Sequence, residues 1–312
     1  MVQVRFRISK NVGAICLLLL LFAYAQEGHS EEFDVIFLGG QSNMEGFGSV
    51  KDLPDHQRQI DGAFIFHVPA ALDQKPIVSD GHWLPLRAGH GTGFAMRGQE
   101  AIYSDRFGVE LSLAQEILKH RTGRKLALIK YARNGSSIHQ AAAENWGCWE
   151  PDFLAADGEH RSVNQYDHFL ATIRLATSDT DIDDDSVPDT LHPIGIIWMQ
   201  GESDARFTPE IAKEYEANLK RLTDLMRAAL RVDDLPVVIG QISDSGKHES
   251  GKVWTHGEIV REAQAAFVQK DPAAKLITTT DSYQYSDPWH YDSAGYLDLG
   301  RQFANALREL SR

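Results

Sequence analysis

Asp34-Val35-Ile36-Phe37-Leu38-Gly39-Gly40-Gln41-Ser42-Asn43-Met44 reads as a short, continuously apolar strand that runs into a glycine turn and a serine. A run without polar alternation is the pattern of a strand buried on both faces, as in a parallel sheet covered by helices. A serine in that position stands exposed at the top of the sheet, which makes Ser42 the candidate nucleophile. On this stretch alone a plainer reading competes, because Ser or Asn after a strand is a common helix N-cap and Gly-Gly a common turn.

Further apolar runs follow at residues 126–131, 194–199, 237–239 and 276–279. Between them lie amphipathic patterns at residues 110–120, 166–176, 209–230, 259–269 and 294–310, with apolar residues recurring at helical spacing. Strands alternating with helices predict an α/β fold, a three-layer α/β/α domain around a doubly wound parallel five-stranded sheet. In such a sheet the ligand site lies at the carboxyl ends of the strands, where Ser42 falls. Two long segments, about 47–107 and 132–164, are expected to be irregular loops on that face, and long loops in a compact domain are usually functional. They bring His82, Trp83, His90, Phe94, Trp146 and Trp149 near the site, either to stack on sugars or merely to pack the loops.

The first 25 residues stand apart. Arg5, Arg7 and Lys10 precede an apolar stretch from Val12 to Phe22, and Ala23-Tyr24-Ala25 has the small-x-small form of a signal-peptidase site. The apolar run is shorter than the ~20 residues that span a bilayer, so a cleaved signal peptide with cleavage near Ala25 is expected rather than a membrane anchor. A single domain over residues 26–312, secreted or periplasmic, is the corresponding expectation. Without the leader, 28 basic residues stand against 44 acidic ones, a net charge of −16. Such a surface repels nucleic acid and anionic membranes and suits a neutral partner. Cys148 is then the only thiol, so no internal disulfide is available and the fold must rest on its core.

Metal chemistry finds little support. Residues 179–189 carry six aspartates, but the segment has neither the Gly nor the closing Glu of an EF-hand, and a solvated acidic loop is the simpler reading. No His-Glu-x-x-His or paired-Cys spacing occurs, so no zinc and no other cofactor is expected.

What raises Ser42 above an N-cap lies downstream. Asp287-Pro288-Trp289-His290 follows the last strand, and an Asp three residues ahead of a His can fold back to accept the Nδ1 proton, leaving Nε2 to face a nucleophile. Ester hydrolysis also needs donors for the developing oxyanion. Gly135, in Asn134-Gly135-Ser136-Ser137, can offer a backbone N–H, and Gln200, in Gln200-Gly201-Glu202-Ser203-Asp204, a side-chain amide. Four polar segments, three of them glycine-bearing, thus fall at the carboxyl ends of four strands or just beyond them.

Gly40-Gln41-Ser42-Asn43-Met44, Asn134-Gly135-Ser136-Ser137, Trp198-x-Gln200-Gly201-Glu202-Ser203-Asp204 and Asp287-x-x-His290 resemble the successive blocks of SGNH hydrolases. More narrowly they resemble the sialate O-acetylesterase and carbohydrate esterase family 6 branch, which includes acetylxylan esterases. The resemblance spans about residues 34–310. It implies a flavodoxin-like sheet of strand order 2-1-3-4-5, with Ser42 as nucleophile, His290 as base and Asp287 as its orienter. It also implies an oxyanion hole from the Ser42 N–H, the Gly135 N–H and the Gln200 amide. Two positions depart from the pattern: Gln200 stands where SGNH hydrolases generally have Asn, and Asn134 where Gly is frequent in this branch. The expected activity is removal of O-acetyl groups from a carbohydrate such as acetylxylan or a related acetylated glycan. Sialate O-acetylesterase activity is the alternative within esterases, and a non-catalytic glycan-binding module the alternative outside them.

Overall fold

The computed structural model describes residues 30–69, 81–121, 123–154 and 163–311; the expected signal peptide lies outside them. Its centre is a sheet of strands β1 (Glu32–Gly40), β2 (Gln59–His67), β3 (Leu84–Arg87), β4 (Lys125–Ala132), β5 (Thr190–Met199), β6 (Val237–Gly240) and β7 (Ala274–Ile277). The spatial order is β7-β6-β5-β1-β4-β2-β3, parallel throughout except for the antiparallel edge strand β3. The five expected strands are all present and in the order 2-1-3-4-5.

The sheet has seven strands rather than five, because two more come from the segment expected to be irregular. In β2 the buried stretch Ala63–Phe66 is preceded by Gln59, Asp61 and Gly62, which hide it from a search for apolar runs, yet residues 63–67 pair in register with residues 126–130 of β4. In β3, Pro85 removes a ladder donor, and it is tolerated because the strand lies at the sheet edge. The last strand ends at Ile277, two residues before the expected end, and continues as a 3₁₀ turn over Thr279–Ser282.

The helices are α1 (Ser42–Glu45), α2 (Glu110–His120), α3 (Gln165–Ser178), α4 (Pro209–Lys213), α5 (Tyr215–Leu230), α6 (Gly257–Lys270) and α7 (Ser293–Leu310). The single helix expected over 209–230 is broken at Glu214 into α4 and α5. Helices α2 and α7 pack on each other and on the sheet, and α3, α5 and α6 form a second connected layer. Residues 33–40 of β1 are all buried, as a central parallel strand requires.

Strand register sets the position of everything that follows. Gly40 is level with Ala132 on one side and Met199 on the other, so β4, β1 and β5 end together. The three segments that begin at Arg133, Gln41 and Gln200 therefore emerge side by side.

Beneath that edge lies a fully buried ion pair. Lys130 of β4 donates to Glu110 Oε2 at 2.9 Å, to the Glu45 carbonyl at 2.9 Å and to the His90 carbonyl at 2.8 Å, while Glu110 Oε1 accepts from the Gly108 amide at 2.8 Å. All three ammonium protons are used, and the lysine ties β4, α1 and α2 together. Lys130→Met leaves the Glu110 carboxylate uncompensated in the core and should cost ~3–5 kcal/mol in urea unfolding. The double variant Lys130→Met/Glu110→Gln should recover part of that loss.

Candidate active site

The turn after β1 exists because two residues there have no side chain. Gly40 has φ +144°, and a Cβ on it would lie 2.0 Å from the Met199 carbonyl, which instead accepts the Gln41 amide at 2.9 Å. Ser42 is the first residue of α1, where an N–H has no intrahelical acceptor. Surrounding segments of the protein bury it to 5 % exposure, but it lines a cleft of about 450 Å³ that also includes Gln41, Gly135 and His290.

Alternate residues around Ser42 each hold one of the other segments. Gln41 Oε1 accepts from the amides of Gly201 and Ser203, both at 3.3 Å, and from Gln200 Nε2 at 3.2 Å. Asn43 Nδ2 donates to Glu202 Oε1 at 2.9 Å and to the Trp289 carbonyl at 3.2 Å. Its Oδ1 accepts from the Tyr291 amide at 3.4 Å and the Tyr296 hydroxyl at 2.8 Å. Glu45 Oε2 accepts from the Asn134 amide at 2.7 Å, fixing the entry to Gly135.

The Asp287 to His290 turn closes as its spacing predicts. Asp287 Oδ2 lies 2.7 Å from His290 Nδ1, and Oδ1 accepts from the amides of Trp289 and His290 at 2.7 and 2.8 Å. Partial burial acts to raise the Asp287 carboxyl, but the histidine hydrogen bond and those amides outweigh it and hold the group below its ordinary value. An ionised Asp287 accepting at Nδ1 leaves Nε2 as the basic nitrogen. Phe47 stacks on the imidazole with centroids 3.6 Å apart and planes within 3°. Nothing in the sequence pattern marks Phe47 for that place.

Gly135 adopts φ +74°, and a Cβ there would fall 2.5 Å from the Trp146 ring, so only glycine lets the loop pass this cleft wall. Its carbonyl accepts from Ser203 Oγ at 2.8 Å, and its own N–H has no acceptor among the described residues. Gln200 is placed differently from expectation. Its side chain is fully buried, away from the cleft, with Nε2 within reach of Asp204 Oδ2 (2.7 Å), the Ser136 carbonyl (3.1 Å) and Gln41 Oε1 (3.2 Å). Ser42, Gly135 and His290 thus meet at one cleft, with Asp287 behind His290, and Gln200 does not reach it. The neighbouring amide, Gln41, does line the cleft, and since its Oε1 serves three donors its Nε2 is the part left over.

Among the expected loop aromatics, only Trp146 lines the cleft. Trp149 packs edge-on against Trp198, Trp83 donates to the Asp179 carbonyl at 2.8 Å, and His90 and Phe94 pack with His67. The remaining aromatic walls are Phe207, Trp254 and Trp289. Burial pushes the Cys148 thiol up to about 12, and its Sγ donates to the Ile138 carbonyl. In the acidic segment, oxygens of Asp181, Asp183 and Asp189 come within 4.8 Å of one another. Backbone amides bond to Asp181 and Asp189, and Lys125 pairs with Asp183 at 2.7 Å.

Residues 32–309 match the model of a protein family described as carbohydrate esterase, sialic acid-specific acetylesterase. The chain belongs to that family. It is therefore grouped with carbohydrate acetylesterases. Three solved structures share its fold. A protein from Arabidopsis thaliana is 19% identical with a TM-score of 0.60, over 89% of this chain and 98% of the other. A carbohydrate acetylesterase from Xanthomonas citri is also 19% identical with a TM-score of 0.60, over 89% of this chain but only 56% of its own. NanS is 15% identical with a TM-score of 0.58, over 91% and 99% of the two chains. A search of curated proteins gave no significant match.

The cleft geometry makes Gly135 the sharpest test of the backbone. Gly135→Ala should destabilise by more than ~1 kcal/mol, since the residue sits at positive φ and against an aromatic ring, and should also displace Trp146. Urea unfolding reads the first effect and tryptophan fluorescence the second.

Proposed function

We propose that the chain is a secreted serine esterase that removes O-acetyl groups from carbohydrate. The observation that carries this reading is the His290–Asp287 pair, bonded at 2.7 Å and opening on the same cleft as Ser42. His290 Nε2 takes the proton of Ser42 Oγ as that oxygen attacks the acetyl carbonyl. The sugar hydroxyl leaves with the proton from His290, and water, deprotonated by the same nitrogen, releases acetate from the acyl-enzyme. Asp287 keeps the imidazole in one tautomer and stabilises its cation.

The oxyanion donors in this reading are the N–H groups of Ser42 and Gly135 and the Nε2 of Gln41, which takes the role expected of Gln200. Gln200 instead braces Gln41 from behind. The substrate we assign is acetylxylan or a related neutral acetylated glycan. Trp146, Trp254, Trp289 and Phe207 give the cleft broad apolar walls on which sugar faces can stack. The one arginine that lines it among the described residues, Arg206, is paired with Glu144 at 3.1 Å, so it is not free to receive a sialate carboxylate.

Ser42→Ala should lower hydrolysis of a small acetyl ester by on the order of 10⁴-fold or more, and retention of wild-type rates would sink the proposal. Gln41→Glu keeps the accepting oxygen but removes the donor, and should lower kcat by ~10²–10³-fold. Acetate released from acetylated xylan and from O-acetylated sialic acid, compared at equal enzyme, decides the substrate.

A further inference from the structure

Glu202 is a buried carboxylate that the steps above do not use. It is 1 % exposed; Oε1 accepts from Asn43 Nδ2 at 2.9 Å, and Oε2, equally buried, has no partner among the described residues. A bare carboxylate oxygen in a core is expensive, and a group retained at such cost directly behind a catalytic turn calls for a reason. The reason is on the other side of Asn43. The same amide that faces Glu202 grips the Trp289 carbonyl and the Tyr291 amide, the residues on either side of His290. Asn43 is also the residue after Ser42, so one side chain sets the distance from nucleophile to base.

We propose that Glu202 and Asn43 form the positioning unit of the His290 base, in which the ionised carboxylate draws the Asn43 amide into the orientation that clamps both flanks of His290. A charge-assisted hydrogen bond is roughly twice as strong as a neutral one, so the clamp is tight when Glu202 is ionised and slack when it is protonated. Burial, opposed by the Asn43 bond, raises the Glu202 carboxyl to about 7, with Asp204 adding to the rise. The groups facing it from every side are Asp204 on its own segment, Tyr215 of α5, Tyr285 and Tyr291 of the histidine turn, and Tyr296 of α7. The four phenols are all pushed upward by burial and stay neutral in the working range, and no cation faces Glu202 among these groups. The sign follows: protons lost from Glu202 as pH rises through about 7 tighten the clamp, so activity rises with pH on this group as well as on the base.

This inference rests on the serine-esterase reading, and kinetics on 4-nitrophenyl acetate separate the two. For the wild-type enzyme the acid limb of log(kcat/KM) against pH should be clearly steeper than a slope of one around pH 7, where protonation of Glu202 adds its roughly tenfold loss to that of the base. Glu202→Gln keeps the shape and removes the ionisation. Its acid limb should fall to a slope of about one, with kcat at pH 8 lowered roughly tenfold, KM within about twofold and Tm within ~4 °C. A wild-type slope of one, or a Gln variant with wild-type kcat, overturns the positioning unit while leaving the esterase intact. No hydrolysis by the wild-type protein overturns both. Because the wild-type slope is read without any substitution, the proposal stands or falls even if the variant does not fold.

Discussion

The site depends on the hydrogen bonds that Gln41, Asn43 and Glu45 send out from the short turn around Ser42. Each reaches a different segment: Gln41 the one after β5, Asn43 the histidine turn, Glu45 the one after β4. They can do so because β4, β1 and β5 end at the same level, which register imposes before any side chain acts. A one-residue slip in β1 would turn every side chain of that strand to the opposite face and take the turn out of level with its neighbours. The precision of the site is thus inherited from the buried parallel ladder, and the turn converts it into distances between side chains.

Much of this was legible in the sequence because the strands that matter most are the most buried. Strands β1 and β5 carry continuous apolar runs and β4 one interrupted only by Lys130, and chain order places their ends together. Strand β2 escaped because only its second half is buried, and its polar first half resembles a loop. The break at Glu214 escaped because the apolar spacing runs through it unchanged. Within the site, the Asp287 to His290 turn could be read from a three-residue spacing, since both partners lie on one local turn. The placement of Gln200 could not. Gln41 and Gln200 are both amides at the ends of adjacent strands, and residue type does not say which one faces the cleft. The stacking of Phe47 on His290 joins residues far apart in the chain and has no local signal at all.

Polar groups are concentrated in the core beneath the cleft, and they fall into two kinds. Lys130 and Glu110 satisfy each other and the backbone nearly completely, and low dielectric makes such a pair stiff. Its work is to hold α1 against β4. A network of that kind resists change in shape, since removing either partner would strand the other.

Asp204 and Glu202, two residues apart, show the second kind by contrast. Burial raises both carboxyls, but Asp204 accepts from the amides of Ile138 and His139 and from Gln200 Nε2, so each oxygen has a donor aimed at it. Hydrogen bonds to the charged form oppose protonation. Glu202 has one side-chain donor, Asn43, on Oε1, and its Oε2 has no partner among the described residues. A proton arriving at that oxygen displaces nothing. Of two neighbouring buried acids, then, the one that braces Gln200 has donors on both oxygens to oppose the effect of burial, and the one behind the histidine turn leaves Oε2 without a donor among the described residues.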